Sequence, residues 1–95
     1  MDSISLILKI KMNTLSESER KVADYILANP KEVISQTIMV SANKAGTSTA
    51  AITRLCKSLG LKNFSELKIL LAKDVFINEV DINPNIDMKS DESEL

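Results

Sequence analysis

Apolar residues recur at helical spacing along most of the chain, and short polar or breaking segments divide them. Ile4, Leu6, Ile7, Leu8 and Ile10 fill a first helical segment, Ser3 to Met12, which breaks at Asn13-Thr14. Ser16 and Glu19 then form a capping box, in which each side chain takes the other's backbone amide. Acids at 17 and 19 suit the positive end of the helix that follows. Val22, Tyr25, Ile26 and Asn29 recur along that helix until Pro30 stops it. A proline in the first turn allows a short helical stretch over 30–34. Thr37 or Ser35 can cap a helix from Ile38 to Ala45, ended by Gly46. Ser48 caps another that runs to Leu59 and stops at Gly60. Asn63 with Glu66 makes a further capping start, and Leu67, Leu70, Leu71 and Val75 form an i, i+3, i+4, i+8 stripe to about Phe76. No repeat is present. The pattern predicts an all-α fold of about five helices in one domain, residues 1–77. Residues 78–95 read as an acidic flexible tail or linker.

Composition supports this reading. The chain has 95 residues, two glycines, two prolines and no tryptophan, so few breakers interrupt the helix formers. No apolar run is long enough to span a membrane. The apolar stretch near the N-terminus is shorter than that of a secretion signal and has no basic region ahead of it. The single Cys56 cannot make an internal disulfide. A reducing cytoplasm is the simplest location. There is no histidine, no phosphate-cradling glycine loop and no nucleophile–base pair, so catalysis, a metal site and a cofactor are not expected.

The formal charge of −1 conceals a segregation. Residues 37–73 carry Lys44, Arg54, Lys57, Lys62, Lys68 and Lys73 against Glu66 alone, a net of +5. Residues 74–95 carry seven acids against Lys89, a net of −6. A basic segment of this kind suits an anionic partner. Drift in a lysine-rich helical chain accounts for it as well.

The spacing around Gly46 gives that partner a shape. Ala42 lies four residues before the glycine, where only a small side chain lets two helices approach. Ile52, Leu55, Cys56 and Leu59 then form one inward stripe. A small residue, a turn glycine and spaced aliphatics make the frame of a DNA-binding helix-turn-helix. The face opposite the stripe holds Ala50, Arg54 and Lys57, flanked by Thr49 and Thr53. Small and hydroxyl residues allow a helix to enter the major groove. Thr49, Ala50, Thr53 and Arg54 are therefore candidate base-reading residues. Lys44, Ser48, Lys57 and Lys62 are candidates for phosphate contacts, with the amide end of the helix adding to them.

TLSESERKVADYILANP followed by AGTSTAAITRLCKSLGLKNFSELK resembles the N-terminal domain of RpiR-type transcriptional regulators over about residues 4–76. Matching positions include Leu15, Ser16, Glu19, Val22, Ala23, Tyr25, Ile26, Pro30, Ile38, Ala42, Ala45, Gly46, Ser48, Ala50, Ile52, Arg54, Cys56, Leu59, Gly60, Phe64, Glu66, Leu67 and Lys68. The resemblance implies sequence-specific binding of double-stranded DNA, as a homodimer on a palindromic operator, in the control of sugar or phosphosugar genes. It also implies a sugar-isomerase-like domain that takes a phosphosugar effector; these 95 residues do not contain it. Val40 and Ser41 depart from the family's Glu-Leu, so a core leucine is missing. Thr47, Leu55 and Asn63 replace Val, Phe and Gly. Ala51 replaces a threonine, which either costs a base contact or alters the operator.

Other readings stand beside these. Cys56 lies on the inward stripe and reads as core, as do Tyr25 and Phe64 among apolar helical neighbours. Met12, Met39 and Met88 read as filler or linker. Glu17, Glu19 and Asp24 read as a capped, solvated face. Arg54 has a structural salt bridge as its alternative role. Ile69 and Phe76 fall off the last helix's stripe and serve either a dimer interface or the overflow of a small core. For the domain as a whole, the alternative function is a protein-interaction module with a degenerate helix-turn-helix.

Overall fold

Short polar side chains start nearly every helix of the fold. The computed structural model describes residues 3–82. Its elements are α1 (Ile4–Lys11), a 3-10 turn (Met12–Thr14), α2 (Glu17–Ala28), α3 (Pro30–Ile34), α4 (Ile38–Ala45), α5 (Thr49–Ser58) and α6 (Phe64–Ile82). Ser3, Ser16, Thr37 and Ser48 each accept a backbone amide of the first turn of α1, α2, α4 and α5. Each such cap contributes about 1 kcal/mol. The Ser16–Glu19 capping box is complete in both directions. Thr37, rather than Ser35, caps α4. At α6, Asn63 Oδ1 accepts the Glu66 amide at 2.9 Å, while the Glu66 carboxylate reaches back to the Lys62 amide at 2.7 Å.

Gly46 and Gly60 end α4 and α5 in the left-handed region, at φ +77° and +81°. Beyond Gly46, the Thr47 amide returns to the Ala42 carbonyl at 2.9 Å; beyond Gly60, the Leu61 amide returns to Cys56 at the same distance. Both are Schellman closures, which satisfy carbonyls the helix leaves open.

One core joins all the helices. Ile4 and Leu8 come from α1; Val22, Ala23 and Ile26 from α2; Val33 from α3; Ala42 from α4. Ala51, Ile52, Leu55 and Cys56 of α5 meet Phe64, Leu67 and Leu71 of α6. The α2 helix packs against α4 and α5, and α6 packs along α1 and α3. The helix-turn-helix pair is thus backed by α2 on a platform made by α6.

One expectation is corrected. Helix α6 runs on to Ile82 instead of stopping near Phe76; residues 83–95 lie outside the described residues. Asp74, counted with the acids of residues 74–95, is 7 % exposed. Its Oδ2 accepts the Ser5 amide at 2.9 Å. A carboxylate at the first turn of α1 compensates that helix end and ties α1 to α6.

Candidate nucleic-acid interface

The α4–turn–α5 unit has the small-residue approach its spacing predicts. Ala42 is buried between the helices, and Gly46 turns the chain toward the Ser48 cap. Ala51, Ile52, Leu55 and Cys56 point into the core; Leu59, at the end of the stripe, is half-buried. The position of Ala51 settles one open point. It is fully buried, so its methyl cannot reach a base edge and belongs to the core.

All eight candidate contact residues are exposed: Lys44, Ser48, Thr49, Ala50, Thr53, Arg54, Lys57 and Lys62. Thr49, Ala50, Thr53, Arg54 and Lys57 lie on one side of α5, opposite its buried stripe. Ser48 stands at the helix start, where its hydroxyl oxygen accepts the Ala51 amide at 3.2 Å. Lys44 is in the last turn of α4, the helix before. Thr53 and Lys62 line an open pocket of about 320 Å³ with Ile38, Asn63, Phe64, Ser65 and Lys68. Lys68 was counted in the basic segment but not among the candidate contacts. Its Nζ donates to the Gln36 carbonyl at 2.9 Å and lies 5.1 Å from the centre of the Phe64 ring. It is a cation at the edge of the basic face whose position only the packing of α6 reveals.

The ion pair weighed for Arg54 is present, and most of its side chain is still open to solvent. Its side chain is 56 % exposed, yet Nε lies 3.8 Å from Glu19 Oε2, whose side chain is 12 % exposed. Glu19 Oε1 meanwhile accepts the Ser16 amide at 3.1 Å. The capping box of α2 therefore anchors a carboxylate beside the candidate contact face, which its reading as a solvated face did not anticipate.

Gln36 is the other residue that sequence reasoning missed. Its Nε2 donates to the Tyr25 hydroxyl at 2.9 Å, and its Oε1 accepts from Ser41 Oγ at 2.8 Å. Ser41 occupies the family's core leucine position and is 2 % exposed. A buried hydroxyl needs a partner, and Gln36 supplies it. The signal was available: a serine on a core register calls for a nearby polar residue. Tyr25 is half-buried, with an apolar ring and a bonded hydroxyl. Cys56 is core, and burial pushes its thiol up to about 11, which keeps it protonated near neutrality.

No helix among the described residues is long and apolar enough to cross a membrane. Comparison with known proteins gives a consistent result. A model of the rpiR-family helix-turn-helix domain matches residues 3–76. An uncharacterized HTH-type transcriptional regulator, YbbH of Bacillus subtilis (strain 168), is 48 % identical over 69 residues, 73 % of this chain and 24 % of the relative. The HTH-type transcriptional regulator HexR of Pseudomonas aeruginosa (strain PAO1) is 37 % identical over 65 residues, 68 % of this chain and 23 % of the relative. The chain thus spans about a quarter of the length of these curated relatives. Among solved structures, the N-terminal domain of ybbH from Bacillus subtilis superposes with a TM-score of 0.70 at 47 % identity, covering 72 % of this chain and 83 % of that one. Vibrio vulnificus NanR, complexed with ManNAc-6P, superposes at 0.75 with 34 % identity, covering 93 % of this chain and 34 % of that one. With this fold, this turn and these matches, the chain belongs to the rpiR family of helix-turn-helix domains, DNA-binding modules of transcriptional regulators.

Proposed function

We propose that this domain binds double-stranded DNA sequence-specifically by laying α5 in the major groove. Thr49, Ala50, Thr53 and Arg54 read base edges, and Lys44, Ser48, Lys57 and Lys62 hold phosphates. The observation that carries this reading is the division of α5: every buried position is on one side, and a small, hydroxylated and basic set is on the other. Two copies on a palindrome would set their recognition helices about 34 Å apart. The whole protein would act in the cytoplasm, as a binding protein and not an enzyme. It would control sugar or phosphosugar genes through a phosphosugar-binding domain joined to this one. The support is that NanR is described with ManNAc-6P bound and that the chain spans about a quarter of its relatives.

The test is in vitro selection of a bound duplex followed by fluorescence anisotropy. Arg54→Ala should lower affinity for that duplex by about ten-fold or more, the loss expected for a bidentate base contact. Lys57→Ala should weaken selected and random duplexes alike and reduce the salt slope by about 0.9. Both variants should keep the wild-type circular dichroism spectrum. Wild-type affinity in both would refute this assignment of the face. A stable complex with another protein and no salt-sensitive DNA binding would favour an interaction module instead.

A further inference from the structure

We propose that Glu19 determines specificity by positioning Arg54 on the DNA-binding face and restraining its charge from the phosphate backbone. The inference rests on the DNA-binding reading and deepens it. Two features of the geometry support it. The first is that Glu19 is anchored. Its own amide donates to Ser16 Oγ at 3.2 Å, and its Oε1 accepts the Ser16 amide at 3.1 Å. With both groups held by the capping box, Oε2 is a fixed negative charge on α2, facing a side chain of α5.

The second feature is that the pair is close without being locked. At 3.8 Å, Arg54 Nε is outside ordinary hydrogen-bond reach, so the attraction is Coulombic. It acts on the inner end of the guanidinium, and over half of the side chain is open to solvent. A bidentate guanine contact uses the fork of an arginine, and an anchored root reduces the freedom that such a contact must remove. A phosphate on random DNA has no fixed place. To follow one, Arg54 must leave Glu19. Non-specific binding therefore loses the Glu19 attraction, while a base contact within reach of the anchored side chain retains it. Glu19 widens the gap between specific and non-specific affinity.

Glu19→Gln tests this, because glutamine keeps an acceptor for the Ser16 amide and removes the charge. The 95-residue chain, its E19Q and R54A variants and the double variant are titrated against a random-sequence duplex and the duplex selected by wild type. Salt is varied, and thermal melting serves as the folding control. E19Q should bind random duplex about two- to five-fold more tightly, as the loss of a partly exposed ion pair allows. Its salt slope should steepen by about 0.9 as Arg54 gains a phosphate. Affinity for the selected duplex should rise less, so the specificity ratio falls. On the R54A background the E19Q effect should disappear. Glu19→Asp, which keeps the charge but draws it back from Arg54, should shift the ratio in the same direction. An unchanged ratio in both Glu19 variants overturns the proposal. So does an equal gain without Arg54, which would make Glu19 a general charge only. If wild type selects no duplex, the DNA-binding reading itself falls. If it selects one and the ratio does not move, only the role of Glu19 falls.

Discussion

Replacing Gln36 by alanine removes the centre of a small polar network, and its cost follows from what is left behind. Gln36 joins the Tyr25 hydroxyl of α2 to the Ser41 hydroxyl of α4, at 2.9 and 2.8 Å. Ser41 is 2 % exposed, so in Q36A its hydroxyl loses its partner where water has little access. Stranding a buried polar group costs about 1–3 kcal/mol. The bond to half-buried Tyr25 adds about 1 kcal/mol, for a total of roughly 2–4 kcal/mol. Ser41→Ala removes the same Ser41 bond without stranding the glutamine, whose oxygen also lies 3.2 Å from the Tyr25 hydroxyl. Alanine favours the helix interior by about 0.5 kcal/mol, leaving a net cost of about 0–1 kcal/mol. The Lys68 bond survives in both variants, because it goes to the Gln36 backbone carbonyl. Thermal denaturation followed by circular dichroism resolves the difference. At about 4–8 °C per kcal/mol for a domain of this size, Q36A should melt roughly 8–32 °C below wild type and S41A within about 8 °C of it. If S41A loses as much as Q36A, or Q36A melts like wild type, the network does not hold α4 to α2 as described.

Two further outcomes follow from single sites. Gly46→Ala should lower stability by about 1–2 kcal/mol through backbone strain alone, because an added Cβ meets no atom within 4 Å at φ +77°; an unchanged urea midpoint would refute that origin. Burial raises the Cys56 thiol from 9.0 to about 11. Alkylation by iodoacetamide at pH 8 should therefore run about a hundredfold slower in the folded chain than in urea. Since the folded group holds its proton longer, stability should fall as pH rises from about 9 toward 11; comparable alkylation rates in both states would contradict the placement.

The helices, most of their caps and the exposed side of α5 were legible in the sequence because each follows from neighbours three or four residues apart. Ser16–Glu19, Ser48 and Gly46 work locally, and the inward register of α5 places Thr49, Ala50, Thr53, Arg54 and Lys57 outward without reference to the rest of the fold. Ala51 was harder, since it sits at the edge of the stripe and its burial depends on how α5 packs against its neighbours. The contacts that modify the face come from distant segments. Asp74 caps α1 across 69 residues, and Lys68 reaches Gln36 across 32. Glu19 meets Arg54 only because α2 lies behind α5. Local hydrogen bonding and periodicity thus determined by sequence alone which side of α5 is buried and which is left exposed. Only the tertiary packing, which brings charges from separate helices to one place, decided how that surface is braced and which of its cations is held by an acid.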